Sequence, residues 1–431
     1  MANILLQSAE NSSLLQTLNQ SESKVIPSIY STKEIYAPSA TSWFNGLTPI
    51  SSNVVAGGSL TWNLPKYGFL EQMLLSFTYD FTSTGNPAAD VYQVIPNGAG
   101  YNLIDRIEFL SSSRVISTLY AQDLIALHSN LRTDQLYPIQ RTFINGATGA
   151  VGDGAGAGKD VSRTFVLPIV FGFNNDINTV QNLSFNEPCQ LRVVLGSTFA
   201  VSTQYTLAGD VKTFSAAPAG TASISSPTLG LRYKLYSEAD NAMLLAENYS
   251  EPQLNQLTLR QYRENPKMVT AVGSKISADI NLRNVDVINA FYVFVKAESV
   301  AQEDGAEDDI NDLQEITSIT LTASGQEICK IDAQSNYYSK ITENGYSIVP
   351  YIVGSIGYEN VFKVQTGLWE NSGGGAWSNG WSARELNNLV LKVEANTIRA
   401  TANYMVYVCE TTSTILSTSS NTGRVVNSLV N

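Results

Sequence analysis

The sequence predicts an all-β protein of two tandem eight-stranded sandwiches, with short helices in the loops and a helical arm at the N-terminus. Three observations carry this. Residues 104–122, IDRIEFLSSSRVISTLYAQ, return 212 positions later as residues 316–334, ITSITLTASGQEICKIDAQ, with Ile104/Ile316, Ile107/Ile319, Ser112/Ser324, Ile116/Ile328, Ala121/Ala333 and Gln122/Gln334 identical. Strand-like segments follow in similar order through both halves. A chain of 431 residues suits two domains of about 200 residues each, and its recurrent Tyr, Thr, Val and Ile favour β structure.

Each copy of the repeat reads as a β-hairpin. Ile107 and Phe109, like Ile319 and Leu321, alternate with the polar pairs Arg106/Glu108 and Ser318/Thr320, the period of a half-buried strand. A short small or polar turn follows at 111–114 and 323–326, the second with Gly325 where a tight reversal needs positive φ, and another strand-like run comes next. A second pairing, at an offset of 218, matches Asn63-Leu64 and then MLLSFTYDF with Asn281-Leu282 and then FYVFVKAES.

Along the chain, residues 1–24 come first as an amphipathic arm, with Ile4, Leu5, Leu6, Leu14, Leu15 and Leu18 among Ser, Asn and Gln. Such an arm is a frayed tail, a strap on a neighbouring domain, or a contact with a subunit or membrane; the lack of Lys or Arg before Lys24 weakens the membrane version. The first sandwich, 25–240, offers strands at 25–37, 59–64, 72–81, 103–110, 114–120, 163–171, 189–195 and 231–236, the eight that a jelly roll needs. A linker at 241–265 follows, in a stretch of helical character (238–261) broken by Pro252 and expected to lie outside both sheets. The second sandwich, 266–412, offers 268–272, 275–282, 290–296, 316–322, 327–331, 347–353, 389–393 and 404–408, and 413–431 reads as a tail. The stretches 144–162, 205–227, 298–314 and 366–381 read as surface-loop insertions.

The chemistry is sparse. A net charge of -12 without a Lys/Arg cluster argues against a nucleic-acid surface. Cys189, Cys329 and Cys409 lack metal or redox spacing and read as reduced, mostly buried thiols. GAGAGK at 154–159 has Asp153 and Asp160 where a phosphate loop needs Gly and Ser or Thr, so it reads as a flexible loop. His128, the only histidine, has no nucleophile motif nearby and reads as structural, and the acidic run at 303–309 lacks calcium-loop spacing. The N-terminus has no basic n-region and no run of about 18 apolar residues occurs, so the chain is expected to be made in the cytoplasm and stay soluble. A carbohydrate-binding or glycoside-cleaving sandwich is the alternative, favoured only by Trp369, Trp377 and Trp381; no acid pair stands out.

Several elements occur in a telling order: Asn102-Leu103-Ile104-Asp105-Arg106-Ile107, a helical segment at 122–132, Phe165-Val166-Leu167-Pro168-Ile169-Val170, Gln190-Leu191-Arg192-Val193-Val194-Leu195 and Tyr233-Lys234-Leu235-Tyr236. In this order, over residues 25–410, the chain resembles the double jelly-roll major capsid proteins of tailless icosahedral viruses, especially the membrane-containing phages of the tectivirus type. The resemblance implies a homotrimer whose six rolls form a pseudo-hexagonal capsomer, tiling an icosahedral shell with its neighbours. It also implies minor capsid or membrane proteins as partners and an inner-membrane contact through residues 1–24. No direct nucleic-acid contact, enzyme activity, catalytic residue, cofactor or metal follows from it. The place implied is the virion capsid, with assembly in the host cytoplasm.

Overall fold

Alternation of apolar and polar residues builds the sheets. The structure, a computed structural model, describes residues 40–65, 69–83, 91–94, 99–111, 114–129, 161–169, 171, 180–181, 188–199, 201, 203–208, 211–215, 220–235, 237, 256–263, 266–282, 287–297, 313–344, 360–365, 381–382, 388–397, 400–418 and 425–428. The first half contains β1 (Ala40–Leu47), β2 (Ser51–Ser52), β3 (Ser59–Asn63), β4 (Phe69–Ser83), β5 (Val91–Val94), α1 (Ala99–Asn102), β6 (Ile104–Ser111) and β7 (Arg114–Tyr120). It continues with α2 (Ala121–His128), β8 (Val161–Ile169), β9 (Val180–Gln181), β10 (Cys189–Leu195), β11 (Thr203–Ala208), β12 (Val211–Ser215) and β13 (Gly220–Leu235). The sheets β1-β13-β4-β8, with β9 also on β4, and β2-β3-β10-β6-β7 face each other, and β12-β11-β5 form a small third sheet.

The second half contains β14 (Gln256–Arg263), β15 (Lys267–Thr270), β16 (Lys275–Asn281), β17 (Val287–Ala297), β18 (Ile316–Ala323), β19 (Gln326–Asp332) and α3 (Ala333–Asn344). Then come β20 (Phe362–Gln365), β21 (Trp381–Ser382), β22 (Leu389–Asn396), β23 (Asn403–Thr418) and β24 (Val425–Ser428). Its sheets are β14-β23-β17-β20, with β15 and β24 also on β23, and β16-β22-β18-β19. Strand for strand this is the first roll again: both halves are jelly rolls, each closing two antiparallel sheets over a core.

The repetition extends to the register. In the first hairpin Arg106 faces Tyr120, Ile107 faces Leu119 and Phe109 faces Ser117; in the second, 212 residues on, Ser318 faces Asp332, Ile319 faces Ile331 and Leu321 faces Cys329. A bulge interrupts each ladder at the same place, after Phe109 and after Leu321. The next strand keeps an offset of 200, since Leu191 and Val193 face Phe109 and Ile107 just as Leu391 and Val393 face Leu321 and Ile319. On β4 and β17 the offset is 218: Phe69 and Leu70 pair with β9 as Val287 and Ile288 pair with β21. Ile107, Phe109, Ile319 and Leu321 are all buried, so the core face is conserved between the rolls; a slip of one residue would turn each strand inside out.

The structure corrects several boundaries. Residues 25–37 and 347–353 lie outside the described residues, and the strands found are β1, paired with β13, and β20, paired with β17. The stretch 205–227, expected to be a loop, is largely strand, because its small Ser, Thr and Ala residues let β13 run alongside the far half of β4, from Gly220 opposite Ser83. Residues 256–263, placed in the linker and read as helical, form β14 on β23; after Pro252 the Leu257-Thr258-Leu259 alternation has period 2. β23 runs to Thr418 and pairs with β24, so the stretch read as a tail from 413 onward adds to the sheet. Helix α3 was not expected, although it starts at Ala333, 212 residues after Ala121 starts α2. Asp332 Oδ1 caps it by accepting from the Ser335 amide at 2.7 Å.

The second hairpin turns through Ser324 and Gly325, with φ of 50° and 80°, the two positive values of a type I′ turn. Nothing lies within 4 Å of a Cβ built on Gly325, so a side chain there costs only backbone strain. Gly325→Ala is expected to lower stability by about 1 kcal/mol, read as a shift in the denaturation midpoint at unchanged m.

Candidate assembly interface

Strand β17 is apolar on both faces, and that decides how the halves meet. Phe291, Val293, Val295 and Ala297 point into the core of the second roll. Ala290, Tyr292 and Phe294 point the other way and join the core cluster of the first roll, together with Cys409 from β23. Opposite them lies α2, whose Leu124, Ile125 and Ala126 have no exposure; the helix touches both β17 and β23. Phe294 stacks on Tyr407 with ring centroids 5.1 Å apart and planes 13° from parallel. A polar bond crosses this seam, from Lys296 Nζ to Asn102 Oδ1 at 3.1 Å, and brings a mostly buried ammonium onto an amide oxygen.

His128, the last residue of α2, holds the helix to its own roll. Its Nδ1 lies 2.5 Å from the Tyr101 hydroxyl and its Nε2 3.0 Å from the Pro168 carbonyl oxygen. A carbonyl only accepts, so Nε2 carries the proton and Nδ1 accepts from the tyrosine. Complete burial pushes the imidazole from its ordinary 6.5 down to about 4, against the smaller opposing effect of the Pro168 bond. Both ring nitrogens of His128 are thus engaged inside the first roll.

On the outer face of β6, Glu108 sits between two arginines: Arg106 Nε donates to Oε1 at 2.7 Å and Arg192 Nε to Oε2 at 2.5 Å. Burial works to raise this carboxyl, but the two hydrogen bonds outweigh it and hold the group below its usual range, which leaves it no proton to give as a general acid. The second roll holds a weaker set, with Lys392 Nζ 2.6 Å from Glu394 and Ser318 Oγ donating to Glu394 at 2.9 Å.

The other sites considered in the sequence disperse. Cys189 and Cys409 are buried and Cys329 half-buried, and none of the three is in a disulfide. GAGAGK, the acidic run, Trp369, Trp377 and the arm at 1–24 lie outside the described residues, while Trp381 opens β21 opposite Ile288. Among the described residues no group of three or more His, Cys, Asp or Glu is placed to hold a metal ion, and no helix is long and apolar enough to cross a membrane. The seam residues Tyr292 and Phe294 went unremarked in the sequence, yet VINAFYVFVKA carries a signal: an unbroken apolar run marks a strand covered on both sides.

The fold has counterparts of nearly the same length. The chain is similar to the capsid of the virus PBCV-1, with a TM-score of 0.63 and 12% identity over 94% of this chain and 100% of that one. It is similar to the Faustovirus major capsid protein, with a TM-score of 0.58 and 11% identity over 97% and 98%. It is also similar to the mavirus major capsid protein, with a TM-score of 0.51 and 13% identity over 94% and 95%. At these identities the likeness is one of fold, and it is the double jelly roll that the sequence resemblance implies. No protein-family model and no curated protein matches the sequence.

The buried histidine makes the packing of α2 pH-dependent. Its folded pKa lies below its unfolded value, so its contribution is complete above pH 6.5 and is lost as the pH falls through about 4. That window is worth on the order of 3 kcal/mol. Unfolding free energy from urea titrations is expected to fall from pH 6.5 to pH 5, above the range where carboxylates dominate. His128→Gln, which can still donate to Pro168 and accept from Tyr101, is expected to flatten that slope.

Proposed function

We propose that this chain is a major capsid protein whose homotrimers form pseudo-hexagonal capsomers in the shell of a tailless icosahedral virus. The observation that carries this reading is the pair of jelly rolls with coincident registers, fused side by side through β17 and α2 into one body. Two similar rolls per chain let three chains present six similar edges, which suits a hexagonal lattice. The likeness in fold to capsid proteins along the whole chain supports the same reading. A shell needs surfaces rather than a reaction centre, and the buried carboxylate Glu108 is engaged by arginines rather than poised for catalysis.

In this reading the first roll occupies the 25–240 block, residues 241–255 connect, and the second roll begins at β14. The partners are further copies of the chain, neighbouring capsomers and minor capsid or membrane proteins. The arm at 1–24 faces inward, toward an internal membrane of the tectivirus type. A net charge of -12 suits a shell that does not touch the genome.

Sedimentation equilibrium of the purified chain is expected to give three times the 46.7 kDa chain mass, and a monomer at micromolar concentration would sink the proposal. Deleting residues 1–24 is expected to leave that mass and the melting temperature unchanged while impairing shell assembly or attachment to the inner layer. A truncated chain that fails to fold would make the arm part of the core instead.

A further inference from the structure

The register equivalence pairs each residue of α2 with one of α3. Leu124 corresponds to Asn336, Ile125 to Tyr337 and Ala126 to Tyr338, each 212 residues apart. Asn336 is buried and pins α3 to its own roll, donating to the Val361 carbonyl at 3.3 Å and accepting from the Lys363 amide at 3.1 Å. The next two positions differ sharply. Ile125 and Ala126 are fully buried in a helix that touches β17 and β23 of the neighbouring roll, whereas Tyr337 and Tyr338 are 48% and 56% exposed, side by side with ring centroids 6.1 Å apart.

The sheets show the complementary difference. On β17 and β23 the outward residues Ala290, Tyr292, Phe294 and Cys409 are covered. Their counterparts on the first roll are Gln72, Leu74 and Ser76 on β4, at the offset of 218, and Gly230, which faces Leu74 as Cys409 faces Tyr292. All four are only half-buried. Each roll thus carries one projecting helix and one receiving sheet face. A single chain joins the helix of roll one to the sheet of roll two; among the described residues the helix of roll two keeps its tyrosines exposed and the sheet face of roll one stays half-buried.

We infer that α3, through Tyr337 and Tyr338, docks on the outer face of β4 and β13 of a second copy of this chain, at the place equivalent to that of α2 on β17 and β23. This rests on the trimer reading and specifies its contact. Side-chain size supports it. Within the chain, small helix residues (Ile125, Ala126) meet a bulky sheet (Tyr292, Phe294); across chains, bulky helix residues would meet a small one (Ser76, Gly230), so the combined volume is kept. Chemistry supports it too, since a tyrosine buries its ring while its hydroxyl bonds to Gln72 or Ser76, groups that a purely apolar side chain would leave unpaired. A head-to-tail contact of this kind generates a ring when its rotation closes.

The test uses the full-length chain. Tyr337→Asp with Tyr338→Asp is expected to convert trimers to monomers in sedimentation equilibrium, with the circular-dichroism spectrum unchanged. Independently, Leu74→Cys combined with Tyr338→Cys is expected to give oxidised, chain-to-chain linked species on denaturing gels that neither single variant gives. Wild-type trimers that persist in the double aspartate variant, or a cysteine pair that never links chains, overturn the docking assignment and leave the trimer standing. A monomeric wild-type chain overturns the trimer reading and this contact with it.

Discussion

A strand that is apolar on both faces must be covered on both, and the architecture follows from that requirement on β17. One side of it closes the second jelly roll; the other needs a separate apolar surface, which α2 of the first roll supplies. Burial of Ala290, Tyr292 and Phe294 stabilises the seam at about 25 cal/mol per Å² of apolar surface removed from water. The rolls are therefore joined by packed side chains as well as by the connecting chain.

Sequence divergence between the rolls is concentrated where they do different jobs. Core-facing positions keep apolar character at matched places, as Ile107/Ile319 and Phe109/Leu321 show, and the bulge that kinks each hairpin falls at the same residue. Outside the core the rolls part company. The Arg106–Glu108–Arg192 cluster becomes Ser318, Thr320 and Lys392, and the covered pair Ile125 and Ala126 becomes the exposed pair Tyr337 and Tyr338. Identical folds with different surfaces allow one helix to bind in cis and leave its counterpart for a contact in trans.

Much of this was legible in the residues. The hairpins and the offsets of 212 and 218 could be read because period-2 alternation with a Gly-containing turn is a local signal that needs no partner. Strand β14 was missed because Ala242, Leu244 and Leu245, at near-helical spacing upstream, outweighed the three-residue alternation after Pro252. The near end of β13 was missed because Ala, Ser and Thr carry little hydrophobic pattern, and only pairing with β4 makes them a strand. The interface tyrosines were invisible for another reason: Tyr337 and Tyr338 are unremarkable until set beside Ile125 and Ala126, a comparison that takes meaning only once both helices have a place.

The seam also sets a timetable. Helix α2 meets β17 near residue 290, about 165 positions later in the chain. At ribosomal speeds of roughly 5–20 residues per second, the helix waits with its seam face uncovered for about 10 to 30 s before that strand is synthesised. In that interval the same face is open to a neighbouring nascent chain, whose β17 would fit it as well as its own. Crowded synthesis on one message thus favours swapped pairs between chains. Slow translation through the segment that joins the rolls lengthens the hazard, and a chaperone that holds α2 shortens it.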